Sequence, residues 1–323
     1  MALMRKRFIL YAFVILCVLA TATVLVLFHL NHWDYLRLIR WRRLISCEHR
    51  LIHKTRFNVN ARDMIRKLTI QHFNPSRNFV YFSDLMEHES RCRNDRKCSM
   101  RTPLRHHRTC AIVGSGGILA NSSCGNEIDL NDYVIRLNMA PTRNFEQDVG
   151  QKTNLTFVNV SLAKELLEKL SDEDGRESVL QWMSSLKHGV ISYVKVMTTE
   201  IKDVLQALGT VAEDNDFDIA VTYSLDDTQK AVTRVLGEKL IPELYNPTAG
   251  LTAYTLGTTF CDVITLYGFY PFATDARNRT LFYRYYDNYS ASRVVDHDYC
   301  AEFDFLVWLN KLGAARLVTD ACR

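Results

Sequence analysis

The sequence predicts an α/β fold, a mostly parallel central sheet flanked by helices, over residues 109–323. Short apolar runs alternate with longer segments of helical period, the pattern of β–α–β units. The first run, Cys110–Val113, ends in glycines, as where a strand gives way to a ligand-binding loop at the carboxyl edge of a sheet. With 47% hydrophobic and 24% charged residues, the 323-residue chain has the composition of a folded core rather than of a disordered chain.

Strands are expected at Cys110–Gly114, Tyr133–Asn138, Asn154–Val160, Gly189–Val196, Phe217–Tyr223 and Asp262–Phe269. Helices are expected at Ser161–Leu170 with Ser161 as N-cap, at Glu200–Leu208, at Asp226–Leu240 and at Thr248–Phe260. A last helix, Tyr299–Leu312, stops at Gly313, a residue suited to the left-handed C′ position.

The N-terminus predicts a membrane anchor. Residues 1–7 form a basic tail, and Phe8–Phe28 is a 21-residue apolar run. As a helix this run spans about 30 Å, the thickness of a bilayer core, and it is longer than the apolar core of a cleaved signal peptide. Positive charge flanks it on both sides, so charge alone does not orient it. The sequons at Asn121, Asn154, Asn159, Asn278 and Asn288, with eight cysteines after the span, place the C-terminal mass in an oxidising lumen. The expectation is a single-pass type II protein. Residues 29–108 read as a basic stem and the start of the lumenal region. Residues 34–108 carry a net charge of +11 and residues 109–323 a net of −10, which marks a boundary near Cys110.

The glycine loop Gly114-Ser115-Gly116-Gly117 starts like a dinucleotide fingerprint, but its third small position is Leu119. The loop is also what a plain strand-to-helix turn requires. Asn138 and Thr248, read from the residues alone, are a strand-end cap and a helix N-cap. Asp216-Phe217-Asp218 has the D-x-D form of some metal-dependent transferases, yet it also begins an apparent strand and reads as a strand-end pair. No CxxC or histidine-rich cluster suggests zinc.

Four stretches in order resemble the sialyltransferase family in its L, S, III and VS motifs. They are "CAIVGSGGILANSSCGNEIDLNDYVIRLN" from Cys110, "NPTAGLTAYTLGTTFCDVITLYGFYPF" from Asn246, "RYYDN" from Arg284 and "HDYCAE" from His297. "YGFYPF", the Tyr-Tyr-Asp core and a cysteine at the extreme C-terminus look most like the α2,8-sialyltransferases. The resemblance implies CMP-sialic acid as donor, a Golgi location and a variant of the GT-A nucleotide-binding fold, which is Rossmann-like. It implies no metal or other cofactor, and no nucleic-acid partner is expected.

By the same resemblance, Gly114, Ser115, Gly116, Asn138, Thr248, Ala249, Gly250 and Tyr270 hold the donor. Glycine-rich turns let backbone N–H groups approach the donor's phosphate and carboxylate. His297 is the expected general base, since imidazole suits proton transfer near neutral pH, and Glu302 orients the site. Bridges Cys110–Cys261 and Cys124–Cys322 are implied. Cys92 and Cys98 are close enough to pair locally, or one of them pairs with Cys47, and Cys300 has no assigned partner. Arg284 stands where the family usually has His; it can bind an anion or the acceptor but cannot act as a base. Tyr270 and Ser115 replace a common Trp and Asn.

The expected reaction is α2,8 transfer onto a terminal sialic acid of a glycoprotein or glycolipid. The segment 214–245 has three basic residues against seven acidic ones, which favours adding one or a few sialic acids over long polyanionic chains. Two alternatives stand beside it: an α2,3 or α2,6 transferase acting on galactose or N-acetylgalactosamine, and a non-catalytic glycan-binding protein on the same fold.

Overall fold

The computed structural model describes residues 56–92, 98–186, 188–195, 197–237, 240–242, 244–289 and 297–322. The expected cytoplasmic tail and membrane span lie outside these. Among the described residues no helix is long and apolar enough to cross a membrane.

The strands are β1 (Val80–Tyr81), β2 (His107–Val113), β3 (Tyr133–Leu137), β4 (Leu155–Phe157), β5 (Val190–Tyr193), β6 (Ala220–Tyr223), β7 (Cys261–Tyr267) and β8 (Arg316–Val318). They form one sheet in the order β1-β6-β5-β4-β3-β2-β7-β8. Every pairing is parallel except β1 with β6. The chain runs outward from β2 through β6, then returns to the other side of β2 with β7. Strand order therefore reverses at β2, and the crevice beyond its carboxyl end is where such sheets bind ligands.

The longer helices are α1 (Val59–Thr69), α2 (Val160–Leu170), α3 (Glu173–Leu186), α4 (Thr199–Asp214), α5 (Thr228–Gly237), α6 (Ala249–Gly257) and α7 (Tyr299–Leu312). Both faces of the sheet are covered, so neighbouring strand residues enter different cores. Ile112 and Ile135 pack in one cluster with α6 and α7, whereas Ala111, Val113 and Val134 pack in another with Leu119 and Tyr285. Helix α6 is buried on all sides from Gly250 to Gly257, which is why its sequence has no polar face. Helix α7 is capped by Asp298, whose side chain accepts from Ala301 N–H, and ends at Gly313 with φ +74°, as its sequence requires.

Two expectations are corrected. Helix α2 begins at Val160, and its cap is Asn159, not Ser161. The Asn159 side-chain oxygen accepts from Leu162 N–H at 2.8 Å, a bond Ser161 cannot make from inside the first turn. The folded body also begins well before the charge boundary near Cys110. Arg62 and Arg66 of α1 both bond the Asp262 carboxylate, at 2.8 and 3.0 Å, and Thr69 meets Thr258 hydroxyl to hydroxyl at 2.7 Å. Arg77 forks onto Asp226, and β1 adds an antiparallel edge to β6. Several of the basic residues that read as a solvated stem are thus spent on acidic groups of the body. Cys300, to which the sequence assigns no partner, is disulfide-bonded. The bridges Cys110–Cys261 and Cys124–Cys322 are present as expected, and Cys92 pairs locally with Cys98.

Candidate functional site

The site is built where the carboxyl ends of β2 and β7 meet the starts of α6 and α7. The glycine loop after β2 is packed backbone to backbone. Gly114 N–H donates to Tyr267 O at 2.8 Å and Gly116 N–H to Gly268 O at 3.1 Å. A Cβ on Gly116 would lie 2.5 Å from Gly268 O, and one on Gly117 would strike Phe282 O at 2.1 Å. The expected role of the Gly114 and Gly116 N–H groups as anion donors is therefore corrected: both are committed to carbonyls of the β7 end. Close approach, rather than phosphate cradling, is what requires glycine there.

The same loop gathers the third motif. Gly116 and Arg284 form an antiparallel bridge, and Tyr285 N–H donates to Ser115 O at 3.0 Å. The Arg284 guanidinium lies over the rings of Tyr283 and Tyr286, at 5.3 and 5.6 Å from their centroids. Asp287 closes the turn by accepting from the N–H groups of Arg284 and Tyr289. Tyr283 then reaches Tyr299, hydroxyl to hydroxyl at 3.1 Å.

Tyr299 packs edge-on against His297, with ring centroids 5.6 Å apart. His297 Nδ1 lies 2.7 Å from the carbonyl oxygen of Asn246. A carbonyl only accepts, so Nδ1 carries a proton, and in the neutral ring the lone pair is on Nε2. This is the tautomer a general base needs. Asn246 is in turn held by Gln229, whose side-chain amide donates to Asn246 Oδ1 and, at 3.1 Å, to Pro247 O.

Two residues on, Thr248 caps α6 by accepting from Leu251 N–H at 3.1 Å. Its own N–H donates to Glu302 Oε1 at 2.7 Å and its hydroxyl to Oε2 at 2.5 Å. Glu302 is only 6% exposed. Burial pushes its pKa up to about 7, the two bonds from Thr248 oppose the rise, and nearby Asp298 adds to it. The segment from Asn246 to Thr248 is thus pinned by His297 and Glu302 together. A Cβ on Gly250 would meet the Phe269 ring at 2.3 Å, so any larger residue there would displace that ring.

Asn138 lies at the carboxyl end of β3 with φ +58°. Its N–H donates to Phe157 O, its side-chain oxygen accepts from Asn159 N–H at 3.1 Å and its carbonyl accepts from Thr156. It joins the ends of β3 and β4 to α2. Tyr270 packs edge-on against Phe272 and Phe303 at 4.9 and 5.8 Å, so its ring braces α7. Ala249 opens α6 beside these groups.

Asp216 and Asp218 precede β6 and so lie at the opposite, amino-terminal edge of the sheet, where Asp218 pairs with His188 at 2.8 Å. Among the described residues no group of three or more His, Cys, Asp or Glu could hold a metal ion. Sequence reasoning missed Gln229 and the Asn246 carbonyl. The second is a backbone acceptor and leaves no signal in residue identity.

Relatives place these groups in a family. The protein named alpha-N-acetylneuraminide alpha-2,8-sialyltransferase of Xenopus laevis is 30% identical over 225 residues, 69% of this chain. The match spans 61% of that relative's length. Crystal structures of a mammalian sialyltransferase, and of one in complex with Gal-beta-1-3GalNAc-ortho-nitrophenol, are 18% and 19% identical. Both align with TM-score 0.43 over 87% of this chain and 84% of theirs. The sequence model of glycosyltransferase family 29 matches residues 51–314, and with four motifs of that family gathered around one crevice, this chain belongs to it: it is a sialyltransferase-family protein.

Proposed function

We propose that the chain is an inverting glycosyltransferase that moves sialic acid from CMP-sialic acid to the terminal sialic acid of a glycoprotein or glycolipid glycan, forming an α2,8 linkage. The observation that carries this reading is His297 Nδ1 held 2.7 Å from the Asn246 carbonyl oxygen, which directs the proton to Nδ1 and leaves Nε2 as the accepting nitrogen of the neutral ring. The acceptor hydroxyl oxygen attacks the anomeric carbon of the donor sugar while its proton passes to His297 Nε2. The bond from that carbon to the phosphate oxygen breaks with its electron pair, CMP departs from the opposite face, and the configuration inverts. Glu302 does not touch the reacting atoms; it positions Thr248, and with it the start of α6, beside His297. The linkage is supported by the motif details and by the similarity to an α2,8-named relative.

The reading places the catalytic body in the Golgi lumen behind the Phe8–Phe28 anchor. The four bonded cysteines of the two long-range bridges, the local pair and Cys300 favour an oxidising compartment. No metal is required, since CMP carries a single phosphate. Arg284 is kept as an anion contact beside the glycine loop.

The test is the full chain in detergent with CMP-sialic acid and glycans ending in galactose, N-acetylgalactosamine or sialic acid, with products linkage-mapped. Transfer onto sialic acid alone is expected. Transfer onto galactose or N-acetylgalactosamine overturns the linkage, and donor binding without transfer overturns the activity.

A further inference from the structure

A cavity of about 340 Å³ opens beyond the carboxyl ends of β4, β5 and β6, on the same edge of the sheet as the glycine loop. Lys164, Tyr193, Lys195, Thr198, Asp227 and Gln229 are in its wall. None of them belongs to the motifs that define the donor crevice. Its size is that of a small-ligand site, and its lining mixes apolar surface with a few convergent polar groups.

Gln229 joins this cavity to the base. The same side chain that lines the wall holds Asn246 and Pro247, and Asn246 holds His297. A ligand in the cavity therefore sits one side chain away from the segment that fixes the proton acceptor.

Lys195 is the cation without a contact partner. It is half-buried, and among the described residues no carboxylate comes within 4 Å of its ammonium. Asp227, whose charge acts on it, is paired instead with Lys230, at 3.5 Å. Lys164 is paired with Glu200, at 3.8 Å. The amino terminus of α4, capped by Thr198, opens on the same space and adds favourable dipole for an anion. A cation that is partly desolvated and left unpaired beside a cavity is a site for an anionic group from outside.

A terminal sialic acid has a carboxylate at one end and a hydroxylated tail carrying its O8 at the other. We propose that this cavity is the acceptor subsite, with Lys195 forming an ion pair with the carboxylate of the acceptor's terminal sialic acid and the hydroxylated tail directed toward Gln229 and His297. Asp227, Thr198 and Gln229 supply hydrogen bonds to the sugar's hydroxyl and amide groups. This rests on the α2,8 reading above.

The experiment compares wild type, Lys195→Met and Lys195→Arg as full chains in detergent. Acceptors are a sialyl-terminated trisaccharide and its terminal methyl ester, which lacks the negative charge. Lys195→Met is expected to raise KM for the charged acceptor at least tenfold. KM for CMP-sialic acid should stay within twofold, which also shows that the variant folds. The methyl ester should not distinguish Lys195→Met from wild type, and Lys195→Arg should recover most of the loss. An unchanged acceptor KM, an equal loss on the methyl ester, or a changed donor KM overturns the assignment. Should the wild type use only galactose-terminated glycans, the α2,8 reading fails by itself. Titration of the sialyl trisaccharide in the presence of CMP then decides the cavity: binding by wild type and not by Lys195→Met supports it, and no binding by wild type overturns it.

Discussion

Glu302 and Thr248, 54 residues apart in the chain, are joined by two hydrogen bonds that engage both oxygens of a buried carboxyl group. The first turn of α7 thereby holds the cap of α6. Burial raises the Glu302 pKa to about 7, above its usual 4.5, so the folded protein favours the protonated form. The folded state then binds more protons than the unfolded state between these values. Stability from this group is full below pH 4.5 and is lost as pH rises through 7. Glu302→Gln keeps a side-chain acceptor and donor for Thr248 without the titration. Its Tm is expected to vary less between pH 4.5 and 8 than that of wild type in matched thermal scans. Parallel profiles would show that Glu302 does not titrate there.

His297→Ala is expected to lower kcat by about 10²- to 10⁴-fold, the range a positioned acid or base contributes. CMP affinity should be largely retained, because Glu302 still holds Thr248 through both carboxyl oxygens when the imidazole contact to Asn246 is lost. Single-turnover transfer with a matched CMP titration separates the two, and kcat within threefold of wild type would remove His297 from the chemistry.

Gly116→Ala tests close packing in the glycine loop. Its Cβ would lie 2.5 Å from the backbone oxygen of Gly268, with no flexible side chain to give way. The expected destabilisation is about 1–3 kcal/mol, as for other overpacked sites. Thermal unfolding measures it. An unchanged Tm would mean that the two loops separate without cost.

The bridge between Cys110 and Cys261 closes a loop with a sequence separation of 151 residues across the β2–β7 pair. Loop entropy puts its stabilisation at roughly 5 kcal/mol. Replacing both cysteines by serine is expected to lower Tm by well over ten degrees, or to prevent secretion of folded protein. Removing the local pair Cys92–Cys98, at a separation of six, should matter less.

Glycan occupancy should follow what each asparagine side chain is doing. Asn154 accepts from Val134 N–H at 2.8 Å inside the sheet, and Asn159 caps α2. Asn121, Asn278 and Asn288 are exposed. Glycopeptide mass spectrometry is expected to find sugar on members of the second group and none on the first.

How much of this was legible in the sequence depends on length and on which atoms act. β2 and β7 are seven residues long and each ends in four consecutive buried residues, which announces them; β1 and β8, at two and three residues, are too short for any period to register. Helix α3 carries its apolar residues Val179, Met183 and Leu186 only in its second half, behind a charged first half with Gly175. Helix α1 was hidden by its charge: its arginines look solvated until Asp262, 200 residues away from Arg62, is seen beside them. His297, Glu302 and Thr248 were legible because the motifs name side chains. The link that orients His297 runs through a main-chain oxygen, and Lys195 has no motif at all.

The docking of α1 has a practical side. A soluble fragment free of the proposed anchor is made by cutting after Phe28, and the charge map of this sequence invites a cut near residue 108. Such a cut would discard the edge strand β1 and the two arginines that neutralise Asp262, and would leave Thr258 without its hydroxyl partner. A recombinant fragment that starts before Asn58, whose side chain caps α1 and whose N–H bonds Gly313 O, keeps the whole fastening.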